Sequence, residues 1–234
     1  LDDSYSGSFS ASDGETRVTV DTSSNGGTTA ISSNTESIRT LITAVDEAPE
    51  ITLASSSGAF TEVDGADNDS AAIAIGTDGT SQLLERDGDD LKSLTITPDS
   101  GDAALESGEQ LLLVSGGSTV ESIDLDITAT DQAFSLGSDH FMYSVDASGV
   151  VTFESTDGAS STNAAAASAS VYESLLDALR YNNASDDPTV STRDLDITAT
   201  DANDNTSTAA TFTVNTTAVD EAPEITLASS SGAF

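Results

Sequence analysis

Short runs in which apolar and polar residues alternate recur along the chain, and they predict β-strands rather than helices. Such runs lie at 16–20, 37–43, 51–53, 71–75, 93–97, 109–114, 123–130, 141–145, 149–153, 193–200 and 210–214. The run 123–130 is predicted as one strand with an apolar face formed by Ile123, Leu125, Ile127 and Ala129. The sequence DASG at 146–149 predicts a hairpin turn between two of the strands.

One helical pattern interrupts the strands. Ser170 and Glu173 have the spacing of a capping box, and the helix is predicted to run to about Tyr181. Its apolar stripe consists of Val171, Leu175, Ala178 and Leu179. Short strands, frequent turn signals, one short helix and no alternation of strands with helices predict an all-β, Greek-key β-sandwich.

The stretch VDEAPEITLASSSGAF occurs twice, at 45–60 and again at 219–234, 174 residues apart. An identity of this length predicts a tandem-repeat architecture with an acidic joint between modules. We expect 1–44 to be the C-terminal part of a preceding module and 45–50 to be the joint. Residues 51–218 then form a complete sandwich module, and 219–234 form the joint and first strand of the next module.

The charge is extreme, with 41 acidic residues against 6 basic ones and a formal net charge of −35. Self-repulsion at this density opposes compaction unless cations offset it, so the charge fits either a salty habitat or a Ca²⁺-loaded protein. The same charge argues against nucleic acid as a partner. Cysteine is absent, which excludes disulfides, and no apolar run approaches the roughly 18–20 residues that membrane insertion requires.

Several motifs together resemble the cadherin-like or Ig-like tandem modules of giant bacterial RTX-type adhesins, which are secreted by the type I route. The motifs are ALRYNNASDDP at 178–188, RDLDITATD at 193–201, DEAPEI at 46–51, FTE at 60–62 and RDGDD at 86–90. The joint reads DEAP where such modules usually have NDAP, and the long period predicts an extra strand pair or loop. The resemblance implies an extracellular module on the bacterial cell surface that serves adhesion or biofilm formation and is not an enzyme.

Alternate loops of an antiparallel sandwich gather at the same pole, which predicts a cluster of acidic and amide side chains at the entry pole. Its members are Asp46, Glu47, Asp87, Asp89, Asp90, Asp201, Asn203, Asp204 and Asn205. Closely spaced Asp and Asn in glycine-bearing loops suit Ca²⁺, which takes about six to eight oxygen ligands. At the opposite pole Asp220 and Glu221 are expected to meet Glu62. The acidic pair at 186–187 fits either a further metal ligand set or a capped turn.

The sequence offers no catalytic constellation. His140 is the only histidine, no GxSxG elbow is present, and aromatic residues are too scarce to suggest a sugar-stacking cleft. The leading hypothesis is a calcium-rigidified extender whose partners are the neighbouring modules of the same chain. The alternative is a module that itself binds a host or microbial surface ligand (a glycan, a peptide or a like module), and the long insert 101–169 keeps that alternative open.

Overall fold

The computed structural model describes residues 41, 45–63, 71–76, 80–99 and 104–220. The chain divides into two compact units, Leu1–Val45 and Asp46–Phe234, and all the described residues except Leu41 and Val45 belong to the second. The strands predicted at 16–20 and 37–43, and the repeat copy from residue 221 onward, lie outside the described residues.

The second unit is an all-β sandwich with one short helix, as the sequence predicts. Its larger sheet has seven strands in the spatial order β2 (Ser57–Thr61), β13 (Ala210–Thr217), β12 (Thr192–Asp201), β5 (Leu91–Pro98), β10 (Val151–Ser155), β9 (Asp139–Val145) and β8 (Ala129–Leu136). The smaller sheet has four strands in the order β3 (Ile73–Ala74), β11 (Leu179–Asn183), β6 (Glu109–Ser115) and β7 (Ser118–Asp124). A third, two-stranded sheet joins β1 (Glu50–Thr52) to β4 (Gln82–Leu84).

The chain crosses repeatedly between the sheets, so that β5 lies between β10 and β12, neither of which is its neighbour in sequence. This arrangement has the Greek-key character that the sequence predicts. All described strand pairs are antiparallel except β2 with β13, which is parallel. Both main sheets contribute to one buried apolar cluster, whose members include Leu94, Ile96, Leu111, Leu113, Phe153, Tyr181, Ile197 and Phe212.

The helix prediction is right in position and wrong at both ends. Helix α1 spans Ala169–Ala178 and its N-cap is Ser168, without a side-chain capping hydrogen bond, so Ser170 lies inside the helix and forms no capping box with Glu173. Leu179 already has extended backbone and begins β11, which pairs with β6 through Leu179↔Leu113 and Tyr181↔Leu111. Long-range strand pairing therefore ends the helix before its local pattern does.

The strand predicted at 123–130 is also wrong. Strand β7 ends at Asp124, a turn follows, and β8 begins at Ala129 in the other main sheet. Ile123 and Leu125 are buried, whereas the side chain of Ile127 in the turn is 56% exposed. A period-two pattern is thus compatible with a corner at which the chain changes sheets. Strands β2, β4 and β11 have no separate prediction from the sequence, and β7 and β8 share the single prediction at 123–130.

A buried ion pair links the two main sheets. Glu109 of β6 and Arg193 of β12 have side chains that are only 4% and 3% exposed. The guanidinium donates to both carboxylate oxygens, with Nε at 3.0 Å from Oε1 and Nη2 at 2.9 Å from Oε2. The hydroxyl of Tyr181 donates to the same carboxylate at 2.9 Å, and the backbone N–H of Glu106 donates to it at 3.0 Å. The described helix is too short and too polar to cross a membrane.

Candidate metal centre

Strand pairing brings three acidic segments to one pole of the sandwich. The pair Glu50↔Leu84 in β1 and β4 places the joint beside the loop that begins at residue 85. The pair Leu91↔Asp201 in β5 and β12 places the other end of that loop beside the turn at 202–205. The predicted convergence of joint, loop and turn is therefore present in the fold.

Asp201 organises the turn. It is fully buried, and its Oδ1 accepts the backbone N–H groups of Asn203 and Asn205, both at 2.8 Å. Its own N–H donates to the carbonyl of Asn205 at 3.0 Å. Asp204 adopts a left-handed conformation with φ of 71°, which closes the turn. A carboxylate held in this way fixes both neighbouring asparagine side chains at the pole.

Two asparagine amides connect the acidic segments. The amide nitrogen of Asn205 donates to Asp46 of the joint at 2.9 Å and to Asp201 at 3.0 Å. The amide nitrogen of Asn203 donates to Asp89 of the loop at 2.7 Å. The backbone N–H of Glu47 donates to the carboxylate of Asp87 at 2.7 Å. Each predicted segment thus contacts another through a carboxylate oxygen.

The cluster is electrostatically unfavourable in the absence of a cation. The neighbouring Asp87 carboxylate raises the pKa of Glu47. Burial, followed by the neighbouring carboxylate of Asp46, raises the pKa of Asp89. A raised pKa means that the folded chain holds the proton more tightly than the unfolded chain, so ionisation of these groups opposes folding at neutral pH. This cost disappears as the pH falls below the ordinary pKa of these carboxyl groups, because they are then protonated in both the folded and the unfolded chain.

Glu85 belongs to the same loop and was missed by the sequence analysis. Its Oε1 accepts the backbone N–H of Asp87 at 3.0 Å, whereas Oε2 is buried and accepts no hydrogen bond from a described residue. A buried carboxylate oxygen without a donor is costly unless a cation meets it. Position 85 directly precedes the predicted loop, but a sequence cannot show that this oxygen is buried.

Two predicted members of the cluster, Asp204 and Asp90, make other contacts. The Asp204 carboxylate pairs with the ammonium of Lys92 at 2.5 Å, and Asp90 contributes its backbone carbonyl, which accepts the N–H of Ala202 at 2.8 Å. Among the described residues, no three carboxylate or histidine groups converge closely enough to form a complete metal centre. The remaining carboxylates meet in pairs, Glu47 with Asp87 and Asp46 with Asp89.

At the opposite pole Glu62 is buried, 3% exposed, and its Oε2 accepts the backbone N–H of Val219 at 2.8 Å. This contact ties Glu62 to the backbone of the second joint at Val219, and a meeting of Glu62 with the carboxylates of Asp220 and Glu221 stays a prediction. A cavity of about 410 Å³ lies here, lined by Asp186, Asp187, Ala218, Val219 and Asp220. The acidic pair at 186–187 therefore faces the second joint, and Glu221 lies outside the described residues.

A separate groove of about 460 Å³ lies between α1 and the β6–β7 and β8–β9 turns. Arg180 lines it together with Asp177, Asp139 and the serines at 115, 138 and 174. Its Nη1 donates to the backbone carbonyls of Asp177 and Leu179 at 2.7 and 2.8 Å. The guanidinium is thereby fixed, while Nε and Nη2 make no hydrogen bond with the described residues.

Comparison with known proteins gives no match among protein-family models, curated proteins or solved structures. The class of protein is therefore defined by the fold and the site alone. It is a β-sandwich whose entry joint is packed against two acidic loops.

Proposed function

We propose that this chain is a calcium-rigidified extender module of a long bacterial surface adhesin. In this proposal it is an extracellular, non-enzymatic spacer that projects a distal binding tip for cell adhesion or biofilm formation. The observation that supports the proposal is the packing of the acidic joint at Asp46 and Glu47 against the loop of Asp87 and Asp89 and the turn of Asp201. A joint that is tied to its module in this way transmits the orientation of one module to the next.

The donor chemistry of the entry pole fits a hard cation. The ion would be held by carboxylate and amide oxygens of Asp46, Glu47, Glu85, Asp87, Asp89, Asp201, Asn203 and Asn205, which are the ligand types that Ca²⁺ takes. Bound calcium supplies the positive charge that offsets the repulsion between the paired carboxylates and satisfies the buried oxygen of Glu85. At the other pole Glu62, Asp220 and the pair at 186–187 would serve the following joint in the same way.

The decisive variant is Asp89→Asn, because the proposal requires this carboxylate to destabilise the fold without calcium and to contribute to calcium binding when the ion is present. Without calcium the substitution removes a carboxylate that is repelled by Asp46, so we expect the melting temperature to rise above that of the wild type. With calcium it removes a ligand, so the gain in melting temperature on adding calcium shrinks. Asp126→Asn changes the same charge at an exposed position in the turn between β7 and β8, and we expect equal gains for it and for the wild type.

The measurement is calorimetric melting in chelator and in calcium, with sodium chloride at matched ionic strength to separate binding from screening. If calcium raises the melting temperature no more than sodium chloride does at the same ionic strength, calcium does not bind specifically and the proposal is wrong. The extender role is tested by small-angle scattering on two complete modules, for which we expect calcium to increase the maximum dimension and narrow its distribution.

A second candidate function is ligand binding by the module itself, and the Arg180 groove favours it. A fixed guanidinium whose Nε and Nη2 make no hydrogen bond with the described residues, beside carboxylates and serine hydroxyls, suits the hydroxyl groups of a saccharide or the carbonyls of a peptide. Glycan and peptide arrays with calcium present distinguish the candidates. An extender binds nothing, whereas a binding module gives a signal that Arg180→Ala abolishes.

A further inference from the structure

Arg180 differs from the other basic side chains in the described part of the chain, which holds four of the six basic residues. The other three form ion pairs, Arg86 with Glu50, Lys92 with Asp204 and Arg193 with Glu109. Arg180 forms no ion pair with the described residues, although the chain has 41 acidic residues. It is therefore the described basic side chain that has no carboxylate partner among these residues.

The Arg180 guanidinium is held in place by one of its three nitrogens. Nη1 donates to the carbonyls of Asp177 and Leu179 at the end of α1, at 2.7 and 2.8 Å. Nε and Nη2 form the edge of the planar group that faces away from Nη1, and this edge makes no hydrogen bond with the described residues. Its two N–H groups point in the same direction, which is the geometry that binds a carboxylate through two parallel hydrogen bonds.

The same molecule shows what this edge of a guanidinium binds. In Arg193 the Nε and Nη2 groups hold the two carboxylate oxygens of Glu109, at 3.0 and 2.9 Å. Arg193 uses its Nη1 for a backbone carbonyl, that of Asp99, as Arg180 does. The two arginines therefore share one pattern of use, and in Arg180 the place of the carboxylate faces the groove.

Two tight hairpin turns form the rim of the Arg180 groove. One is the turn at Gly116 and Gly117, which have φ of 60° and 80°, and the other contains Gly137 with φ of 63°. These left-handed conformations suit glycine and fix the short connections β6–β7 and β8–β9. The groove is thus bordered by constrained backbone, and its volume of about 460 Å³ lies within the roughly 300–1,000 Å³ of small-molecule sites.

The other polar groups of the groove select the kind of carboxylate. Its serine hydroxyls, at 115, 138 and 174, both donate and accept hydrogen bonds, whereas Asp139 and Asp177 repel a bare anion. A ligand with hydroxyl groups next to its carboxylate uses these aspartates as acceptors. The groove is bordered by two turns and the end of a helix rather than by the length of an edge strand, so it offers a peptide no row of backbone partners.

We propose that the Arg180 groove binds an acidic saccharide. The sugar carboxylate lies on the Nε and Nη2 edge of Arg180, and the sugar hydroxyls meet the serine hydroxyls and the carboxylate of Asp139. This inference rests on the second candidate function, ligand binding by the module, and names the class of ligand. It does not depend on calcium or on the extender role.

The test is a titration of the full ¹⁵N-labelled chain in 0.15 M sodium chloride, which limits the reach of the chain's negative charge to about 8 Å. The probes are glucuronic acid and galacturonic acid, and the neutral controls are glucose and galactose. We expect the acids to shift the backbone amides of Gly116 and Gly137 and the side-chain Nε–H of Arg180 in a saturable way. The neutral sugars lack the two charge-assisted hydrogen bonds, so we expect them to bind about tenfold more weakly or worse.

Three variants assign the binding to the groove. Arg180→Lys keeps the positive charge and a donor for the end of α1 but loses the paired N–H groups, and it should weaken binding about tenfold or more. Ser138→Asp keeps Arg180 and adds a carboxylate to the groove, and it should abolish binding. Its matched control, Ser148→Asp, adds the same charge in the turn at the other end of β9 and should bind like the wild type.

Three outcomes would overturn the proposal. The first is that neither acid gives a saturable shift. The second is that the neutral sugars bind as tightly as the acids, which refutes the acidic class and still supports ligand binding at the groove. The third is that acetate or an acetylated tri-aspartate peptide binds as tightly as the sugar acids, which makes the groove a general carboxylate site. Because none of these readouts is a calcium-dependent melting temperature, each leaves the extender proposal as it stands.

Discussion

The buried ion pair between Glu109 and Arg193 gives the sharpest test of how the two sheets are held together. The substitution Glu109→Gln keeps the shape of the side chain but removes its charge. It leaves the Arg193 guanidinium buried, where its other acceptors include the carbonyls of Asp99 and Ala104, at 3.3 and 3.2 Å. It also turns an amide N–H₂ group toward a guanidinium that only donates.

The expected cost follows from the burial of both partners. Breaking a buried pair by neutralising one partner costs about 3–5 kcal/mol, because the other charge remains without compensation. For a domain of this size each 1 kcal/mol lowers the melting temperature by about 2–4 °C. We therefore expect Glu109→Gln to lower the melting temperature by about 6–20 °C.

Thermal and urea unfolding at pH 7, both followed by circular dichroism, measure the change in melting temperature and in the free energy of unfolding. The control is Glu50→Gln, which breaks the exposed pair with Arg86, whose side chains are 57% and 55% exposed, and it should leave the midpoint unchanged. Replacing the whole network with Glu109→Met, Arg193→Met and Tyr181→Phe should restore part of the loss seen for Glu109→Met alone. Equal losses for Glu109→Gln and Glu50→Gln would refute the assignment of the pair as the link between the sheets.

Three further predictions concern backbone, pH and salt. Gly149→Ala should lower the free energy of unfolding by about 2–4 kcal/mol, because its φ of 78° disfavours a side chain and the added Cβ meets Leu105 and the carbonyl of Leu125. The control Gly117→Ala has a similar φ of 80° but open space around the added Cβ, so it should cost only about 1–2 kcal/mol in the same urea assay. Burial raises the pKa of Tyr172 from 10.0 to about 12, so the stability that its neutral hydroxyl contributes is intact below pH 10 and is lost as the pH rises through 12. Alkaline titration of the free energy of unfolding should show a loss of about 2–3 kcal/mol that Tyr172→Phe lacks. Sodium chloride should raise the melting temperature in chelator because it screens a net charge of −35, and a flat or falling response would contradict this.

The sequence predicts those features that depend on local periodicity and on the rule that alternate loops of an antiparallel sandwich lie at the same pole. Alternation predicts the β class, and the antiparallel arrangement predicts that Asp46, Asp87 and Asp201 share a pole, where they are found in the fold. It does not predict partners that are far apart in sequence. Glu109 and Arg193 are separated by 84 residues. Each lies two residues before a buried leucine, Leu111 and Leu195, but alternation alone does not predict that a charged side chain at such a position is buried or which partner it has.

The same physical reason explains the two errors in the secondary structure. The helical pattern continues past Ala178, but pairing with β6 takes the following residues into β11. The alternation through 123–130 continues past the corner because apolar residues before and after it, Leu125 and Ala129, still contact one core. In both places a tertiary contact decides between conformations that the local sequence allows equally.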